Sequence, residues 1–217
     1  MRILSIDSSL GTQVAVVDAA PSAAGARALQ VLSQDEQADT RRHAESLGQM
    51  LSRALSAPEA AERPLDAVVA ATGPAPFTGL RAGLVTAGVV GRTRGVPVHG
   101  VSSLDAVARR ALDELGSHEG QTEPVVLVAT DARRREVYTA LFRPNGPDDV
   151  NRLTEIIVCP PAQVAQRLAE QAPGPGGGSG GIDVVAGSGA SLYPELAEMA
   201  SCQKALAPVS GDALTQV

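Results

Sequence analysis

The chain reads as an α/β protein built from two related halves, each a mixed sheet flanked by helices. Three observations lead there. Strand-like apolar runs alternate with helical stretches along the chain. A strand that ends in aspartate, followed by a turn and a second strand, occurs twice, at 2–18 and again at 123–142. No short solenoid-type repeat competes with that half-chain periodicity.

The elements follow in order. "RILSID" (2–7) is a buried strand, and "TQVAVVD" (12–18) is its hairpin partner across "SSLG", where Gly11 supplies the positive φ of a tight turn. "ARALQVLS" (26–33) is a third strand. "RRHAESLGQMLSRALSA" (41–57) carries Leu47, Met50, Leu51, Ala54 and Leu55 at helical spacing, and Pro58 closes it. "LDAVVAATG" (65–73) is a short strand. "GLRAGLVTAGVVGRTRG" (79–95) is a helix capped by Thr78, "VPVHGV" (96–101) a strand and "SSLDAVARRALDEL" (102–115) a helix.

The second half starts the pattern again. "EPVVLVATD" (123–131) and "REVYTALF" (135–142) form a hairpin, followed by a strand at "TEIIV" (154–158). A helix (161–171), a strand (182–187) and a helix (191–200) complete it, with "PGPGGGSGG" (173–181) as a linker or hairpin tip. The boundary is placed between 1–104 and a smaller, partly degenerate 105–217.

Composition narrows the function. The 217 residues are 44% hydrophobic but only 2% aromatic, so the core is made of Ala, Val, Leu and Ile. Of 18 basic residues only Lys204 is lysine, and net charge is −6, which argues against a dedicated nucleic-acid binder. "MRILSIDSS" is too short for a signal peptide or a membrane span, and Cys159 and Cys202 form no disulfide framework. A cytoplasmic protein without membrane contact is expected.

Most chemical motifs fail on inspection. Gly73 and Gly79 are six apart and are followed by Leu80 and Arg81, not by the Lys and Ser/Thr of a P-loop. Pro74 and Pro76 also remove two backbone donors from that loop. Residues 177–181 match a nucleophile-elbow pattern but lie in a run of glycines without strand or helix. His43, His99 and His118 lack zinc-ligand spacing. His43 and Glu45, at a helix start, read as a capping or surface pair.

Three features survive. Gly83, Ala87 and Gly91 recur every fourth residue on one helix, with Gly88 beside them. Each glycine costs about 1 kcal/mol of helix propensity relative to Ala. Close packing compensates, either on the protein's own sheet or on a helix of a second subunit. Asp7 and Asp131 end equivalent strands, as metal-adjacent carboxylates do in nucleotide-cleaving folds. The turn "DSSLGT", with Ser8, Ser9, Gly11 and Thr12, suits phosphate approach, whereas "DARRRE" sets Arg133, Arg134 and Arg135 in the way. That second turn is either solvated or a contact for RNA or an acidic protein surface.

"ILSIDSS", "HAESL", "GPAPFTGLRAG", "GVSSLDAVA" and "DARRREVY", in this order and at these separations, resemble the TsaB family. The resemblance covers about residues 1–143 and continues more weakly through "VVAGSGASLYPEL" (184–196). It implies two ribonuclease-H-like domains of the actin/sugar-kinase/heat-shock ATPase superfamily. It also implies a non-catalytic scaffold in forming threonylcarbamoyladenosine at position 37 of tRNAs that read codons starting with A. The partners implied are TsaD, the catalytic paralogue that carries the metal, and the ATPase TsaE, with tRNA met only through the complex. A homodimer of the free chain and a nucleotide at the partner interface are also compatible with it; no cofactor of the chain's own is expected.

By the same resemblance, the helices after "HAE" and "GLR" form the partner surface. This assigns His43, Glu45, Leu47, Met50, Leu51, Leu84, Ala87, Gly88 and Gly91 to it. Gly187, in "GSGA", is implied as a remnant of an adenosine-binding turn, a residual nucleotide site shared with Asp7, Ser8, Ser9, Gly11, Thr12 and Asp131.

The chain departs from the family in three places. Ala75 and Pro76 replace the usual Gly and Ser of the loop, and Ser102 to Ala106 stand where TsaD has its His-x-x-x-His metal pair, so no metal is expected. Many members also continue beyond the point matching Val217, so the closing helix is expected to be altered or missing. The rival reading is an independent nucleotide-binding ATPase or transferase using Asp7 and Asp131. A peptidase is weaker still, lacking both a metal pair and a placed nucleophile.

Overall fold

The computed structural model describes residues 1–21, 27–37, 43–115, 123–171, 181–200 and 205–206. The chain forms two compact units, Met1–Ser103 and Leu104–Ser210. Most of the 173–181 stretch, Cys202 and the residues after 206 lie outside the described ones.

In the first unit, β1 (Arg2–Asp7), β2 (Thr12–Pro21), β3 (Arg27–Gln37), β4 (Ala67–Ala71) and β5 (Val98–Val101) form one sheet in the order β3-β2-β1-β4-β5. β2 is antiparallel to β1 and β3, while β4 is parallel to β1 and β5. Helices α1 (His43–Ser56), α2 (Pro58–Ala61) and α3 (Phe77–Arg94) complete the unit. Pro58 does end α1, but its fixed φ then opens the short α2.

The period-2 alternation of the strands sorts the core. Leu4, Ile6, Val14, Val16, Val68 and Ala70 join Leu47, Met50 and Ala54 of α1 and Ala87 and Val90 of α3. Ile3, Ala15, Val17 and Ala19 make a smaller cluster with Leu29 and Val69. At the outer edge, β3 bulges against β2, where the register shifts between Val16 and Val17, and Arg53 of α1 bridges to Asp35 at 2.6 Å.

The second unit repeats the plan. β6 (Val126–Arg133) and β7 (Glu136–Pro144) are the antiparallel hairpin, and β10 (Val184–Ala186) and β11 (Ala205–Leu206) extend the sheet in parallel beyond β6. β8 (Val150–Arg152) and β9 (Ile157–Cys159) both pair with β7, so the order β11-β10-β6-β7-β8 mirrors the first sheet. α4 (Ser103–Leu115) packs Leu104, Val107, Ala108 and Ala111 with Val126, Val128, Ala140 and Phe142. A second core cluster gathers Leu127, Val137 and Leu141 with residues of α5 (Val164–Gln171), α6 (Ser188–Leu192) and α7 (Pro194–Ala197). The expected 191–200 helix is thus two short ones, because Pro194 supplies no N–H and starts its own turn. Likewise 161–171 opens as a 3₁₀ turn at Pro161–Gln163, and β8 and β11 were not expected.

Among the described residues no helix is long and apolar enough to cross a membrane.

One polar group is deeply placed. The Arg2 side chain is only 4% exposed and grips Asp18 with two parallel bonds, Nε to Oδ1 at 3.1 Å and Nη2 to Oδ2 at 2.9 Å. Its Nη1 donates to the Ala60 carbonyl at 3.0 Å, so the guanidinium ties β1, β2 and α2 together. Arg63 reaches the same Asp18 and also Asp66, which accepts the Arg2 backbone N–H.

Hydrogen bonding from Arg2, then from Arg63, holds the Asp18 carboxyl down at about 2 against an ordinary 3.8. A depressed folded value means stability that is complete above the unfolded value and is lost as pH falls through 3.8 towards 2. The expected outcome is that Asp18→Asn lowers the urea midpoint at pH 6, and that the gap to the unaltered chain closes as unfolding is repeated towards pH 2.

Candidate functional site

The loop at 72–76 turns the chain from β4 into α3. The Gly73 carbonyl accepts the Ser103 N–H at 2.9 Å, and at φ 87° Gly73 leaves the space that Leu80 fills, since a Cβ there would lie 2.8 Å from its side chain. The Gly73–Pro74 peptide is cis. Helix α3 begins two residues earlier than expected. Pro76 is its N-cap and makes no side-chain cap bond, so Thr78 lies inside the helix and is exposed. Gly95, at φ 68°, ends it with its N–H on the Gly91 carbonyl.

The two faces of α3 are inverted relative to an ordinary amphipathic helix. The small residues Gly79, Gly83, Ala87 and Gly91, four apart, are all buried. Ser8, just past β1, donates its hydroxyl to the Gly79 carbonyl at 2.8 Å, and a Cβ on Gly83 would collide with the Ser8 hydroxyl oxygen. A Cβ on Gly91 would collide with Val98 of β5. The small stripe therefore seats α3 on its own sheet.

The outward stripe is large and apolar. Phe77 is 74% exposed, Val85 56% and Val89 59%, spaced by fours with Arg81, whose guanidinium sits 5.9 Å from the Phe77 ring centre. Gly88 is exposed beside them, with open space around its Cβ position, as is Gly48 on α1. Leu47, Gly48, Phe77, Thr78, Arg81, Ala82, Val85 and Thr86 line a groove of about 630 Å³ between α1 and α3.

The residues assigned to a partner surface thus divide. Leu84 and Gly88 are exposed, and Leu51 is half-buried. Met50, Ala87 and Gly91 are packed inside the unit and offer no outward contact, and Leu47 is buried at the groove floor. Seating of the small stripe on the sheet is the reason for Ala87 and Gly91, and packing of α1 into the same core is the reason for Met50 and Leu47. The side chains of His43 and Glu45 lie outside the described residues. The exposure of Phe77, Val85 and Val89 was not anticipated, although their spacing by four on a helix already full of glycines was readable.

The two aspartate turns have diverged. In the first, Asp7 is half-buried and accepts the Ser9 N–H at 2.7 Å, and Gly11 takes φ 137°. Ser8, Ser9 and Thr12 are buried, and the Ser8 hydroxyl is committed to α3. In the second, the Asp131 N–H donates to Ser188 Oγ at 3.0 Å and its carboxylate accepts the Arg133 N–H at 2.9 Å. Gly187, at φ 101°, lies so close to β6 that a Cβ would meet the Ala129 carbonyl at 2.5 Å.

Arg133, Arg134 and Arg135 are exposed and all left-handed, with φ of 66°, 53° and 62°. Each such conformation costs a residue with a Cβ about 1–2 kcal/mol. Among the described residues no three His, Cys, Asp or Glu side chains converge as metal ligands would.

Residues 30–180, well over half of the chain, match the model of a family described as TsaD, tRNA N6-adenosine threonylcarbamoyltransferase. The chain belongs to this family. An uncharacterized protein of Mycobacterium tuberculosis is 46% identical to this TsaD-family chain over 114 residues, 52% of the chain and 49% of the relative. Another, of Mycobacterium leprae, is 40% identical over 140 residues, 64% of the chain and 36% of the relative. The chain therefore spans half the length or less of these curated relatives.

Two solved structures from Pseudomonas aeruginosa share the fold. An uncharacterized protein with similarity to peptidase YeaZ superposes with TM-score 0.68 at 25% identity, over 96% of this chain and 84% of that one. YeaZ itself superposes with TM-score 0.64 at 24% identity, over 90% and 80%. Within the TsaD family this is a TsaB-type member.

The inverted faces of α3 make opposite predictions for two glycines of this TsaD-family chain. Gly83→Ala drives a methyl into Ser8 and is expected to destabilise by about 1–3 kcal/mol. Gly88→Ala meets open space and is expected to stabilise by about 1 kcal/mol through helix propensity. Urea unfolding of both variants checks the pair.

Proposed function

We propose that this chain is a non-catalytic scaffold subunit for threonylcarbamoylation of tRNA, acting by docking its α1–α3 face onto a TsaD-type catalytic paralogue. The observation that carries the reading is the outward stripe of Phe77, Val85 and Val89 beside an open groove. Apolar side chains of this size, aligned on one exposed helix face, gain most by being covered. Gly88 and Gly48 let a partner helix approach the backbone there. The same face accepts a second copy of the chain when the paralogue is absent. A TsaE-type ATPase completes the assembly, tRNA is met through the complex, and a nucleotide belongs at the partner interface, not to this chain alone.

Two features support the absence of independent catalysis. The hydroxyl of Ser8, which would face a phosphate in the first turn, is spent on the Gly79 carbonyl. The second turn carries three arginine side chains and an occupied Asp131. An ATPase or transferase centred on Asp7 and Asp131 would instead show saturable ATP binding by the isolated chain, lost in Asp7→Ala.

The deciding experiment is threonylcarbamoyl transfer to tRNA by the organism's TsaD- and TsaE-type proteins, with the upstream intermediate supplied. Activity is expected only when this chain is added in stoichiometric amount. Val85→Asp combined with Gly88→Leu should fold as the unaltered chain does, yet lose both co-elution with the paralogue and stimulation of transfer. Full activity without the chain, or normal co-elution of that variant, would reject the reading.

A further inference from the structure

The β6–β7 hairpin ends in a feature that the docking face does not use. Its register shifts between Asp131 and Arg133, and Arg133 then pairs with Glu136 to close a two-residue loop of Arg134 and Arg135. Both loop residues are left-handed, as a type I′ turn requires, and such turns take Asn-Gly by preference because those residues adopt positive φ at little cost. Neither arginine recovers that cost locally. Arg133 is held by Asp131, through its backbone N–H and a guanidinium contact at 3.5 Å, but the exposed Arg134 and Arg135 have no hydrogen bond or ion pair among the described residues.

Strain retained at an exposed, charged position points to a role outside the folded chain. We infer that the tip formed by Arg134 and Arg135 contacts the sugar–phosphate backbone of the RNA substrate. This rests on the proposed function, because the polyanion is the substrate of the family's reaction. The tip is rigidly aimed: β7 is paired with β6, β8 and β9, and Val137, two residues from the loop, is fully buried.

The charge setting is selective. The net charge of −6 opposes a polyphosphate overall, so a locally basic point fixes where it can approach. Of the carboxylates at the tip, Asp131 is engaged with Arg133, and Glu136 is half-buried. Guanidinium forks match phosphate oxygens in pairs, so the contact positions RNA without reading its bases.

The test uses the assembled complex and unmodified tRNA, with binding measured at several salt concentrations. Arg134→Asn with Arg135→Gly installs the preferred turn, so folding is not at risk and the urea midpoint should rise. The variant complex should assemble normally, bind tRNA about tenfold more weakly, and show a log–log salt dependence shallower by about 1.5, as two lost phosphate contacts require. Arg134→Lys with Arg135→Lys should restore most of the salt dependence. An unchanged affinity and slope, or weakening that follows lost assembly with the partner proteins, would overturn the inference. Wild-type chain that fails to support transfer would instead reject the proposed function on which it rests.

Discussion

The first unit depends on how closely α3 lies on the sheet. A serine hydroxyl from the end of β1 reaches a helix carbonyl at 2.8 Å, and that approach is open only because Gly83 has no side chain. Glycines on a helix lose conformational preference. Here the loss is offset by backbone-to-strand packing that a larger residue would prevent. Once the small residues face inward, the large ones at 77, 85 and 89 have nowhere to go but out. One constraint therefore accounts both for the stability of the unit and for the surface it offers.

That division explains what could be read from the residues and what could not. The strand–aspartate–turn–strand repeat was legible because period-2 alternation is a local signal. Its two sheets do follow the same strand order. The small-residue stripe was legible as a site of close packing, but a helix wheel has no absolute direction. Whether Gly83 met the chain's own strands or a neighbour's helix depended on Ser8, 75 positions away. Arg2 was unreadable for a related reason. An arginine at the second position looks like a solvated terminus, and only the fold brings Asp18, Ala60 and Arg63 around it. The short β8 and β11 escaped because two or three residues carry no period.

The two halves share one strand order and differ at their turns. In the first, hydroxyl residues turned inward and became part of the packing. In the second, the turn carries positive charge, and Gly187 and Ser188 lie close against β6. The strands keep the repeat visible, with the register shifted only beside the second turn, between Asp131 and Arg133. The scaffold role proposed above fits turns whose polar groups are already engaged within the fold.

The edges of the first sheet bear on how such a protein can assemble. β3 bulges, and Asp35 and Glu36 lie along it, with Arg53 clamped across from α1. β5, at the other margin, is only four residues long. Bulges, charge and shortness are the devices by which exposed strands discourage backbone pairing with a stranger. Growth of the sheet by strand addition is therefore disfavoured from either side, and association is channelled to contacts between side chains on helices. Such contacts form and part without rewiring any main-chain ladder, as the docking proposed above requires.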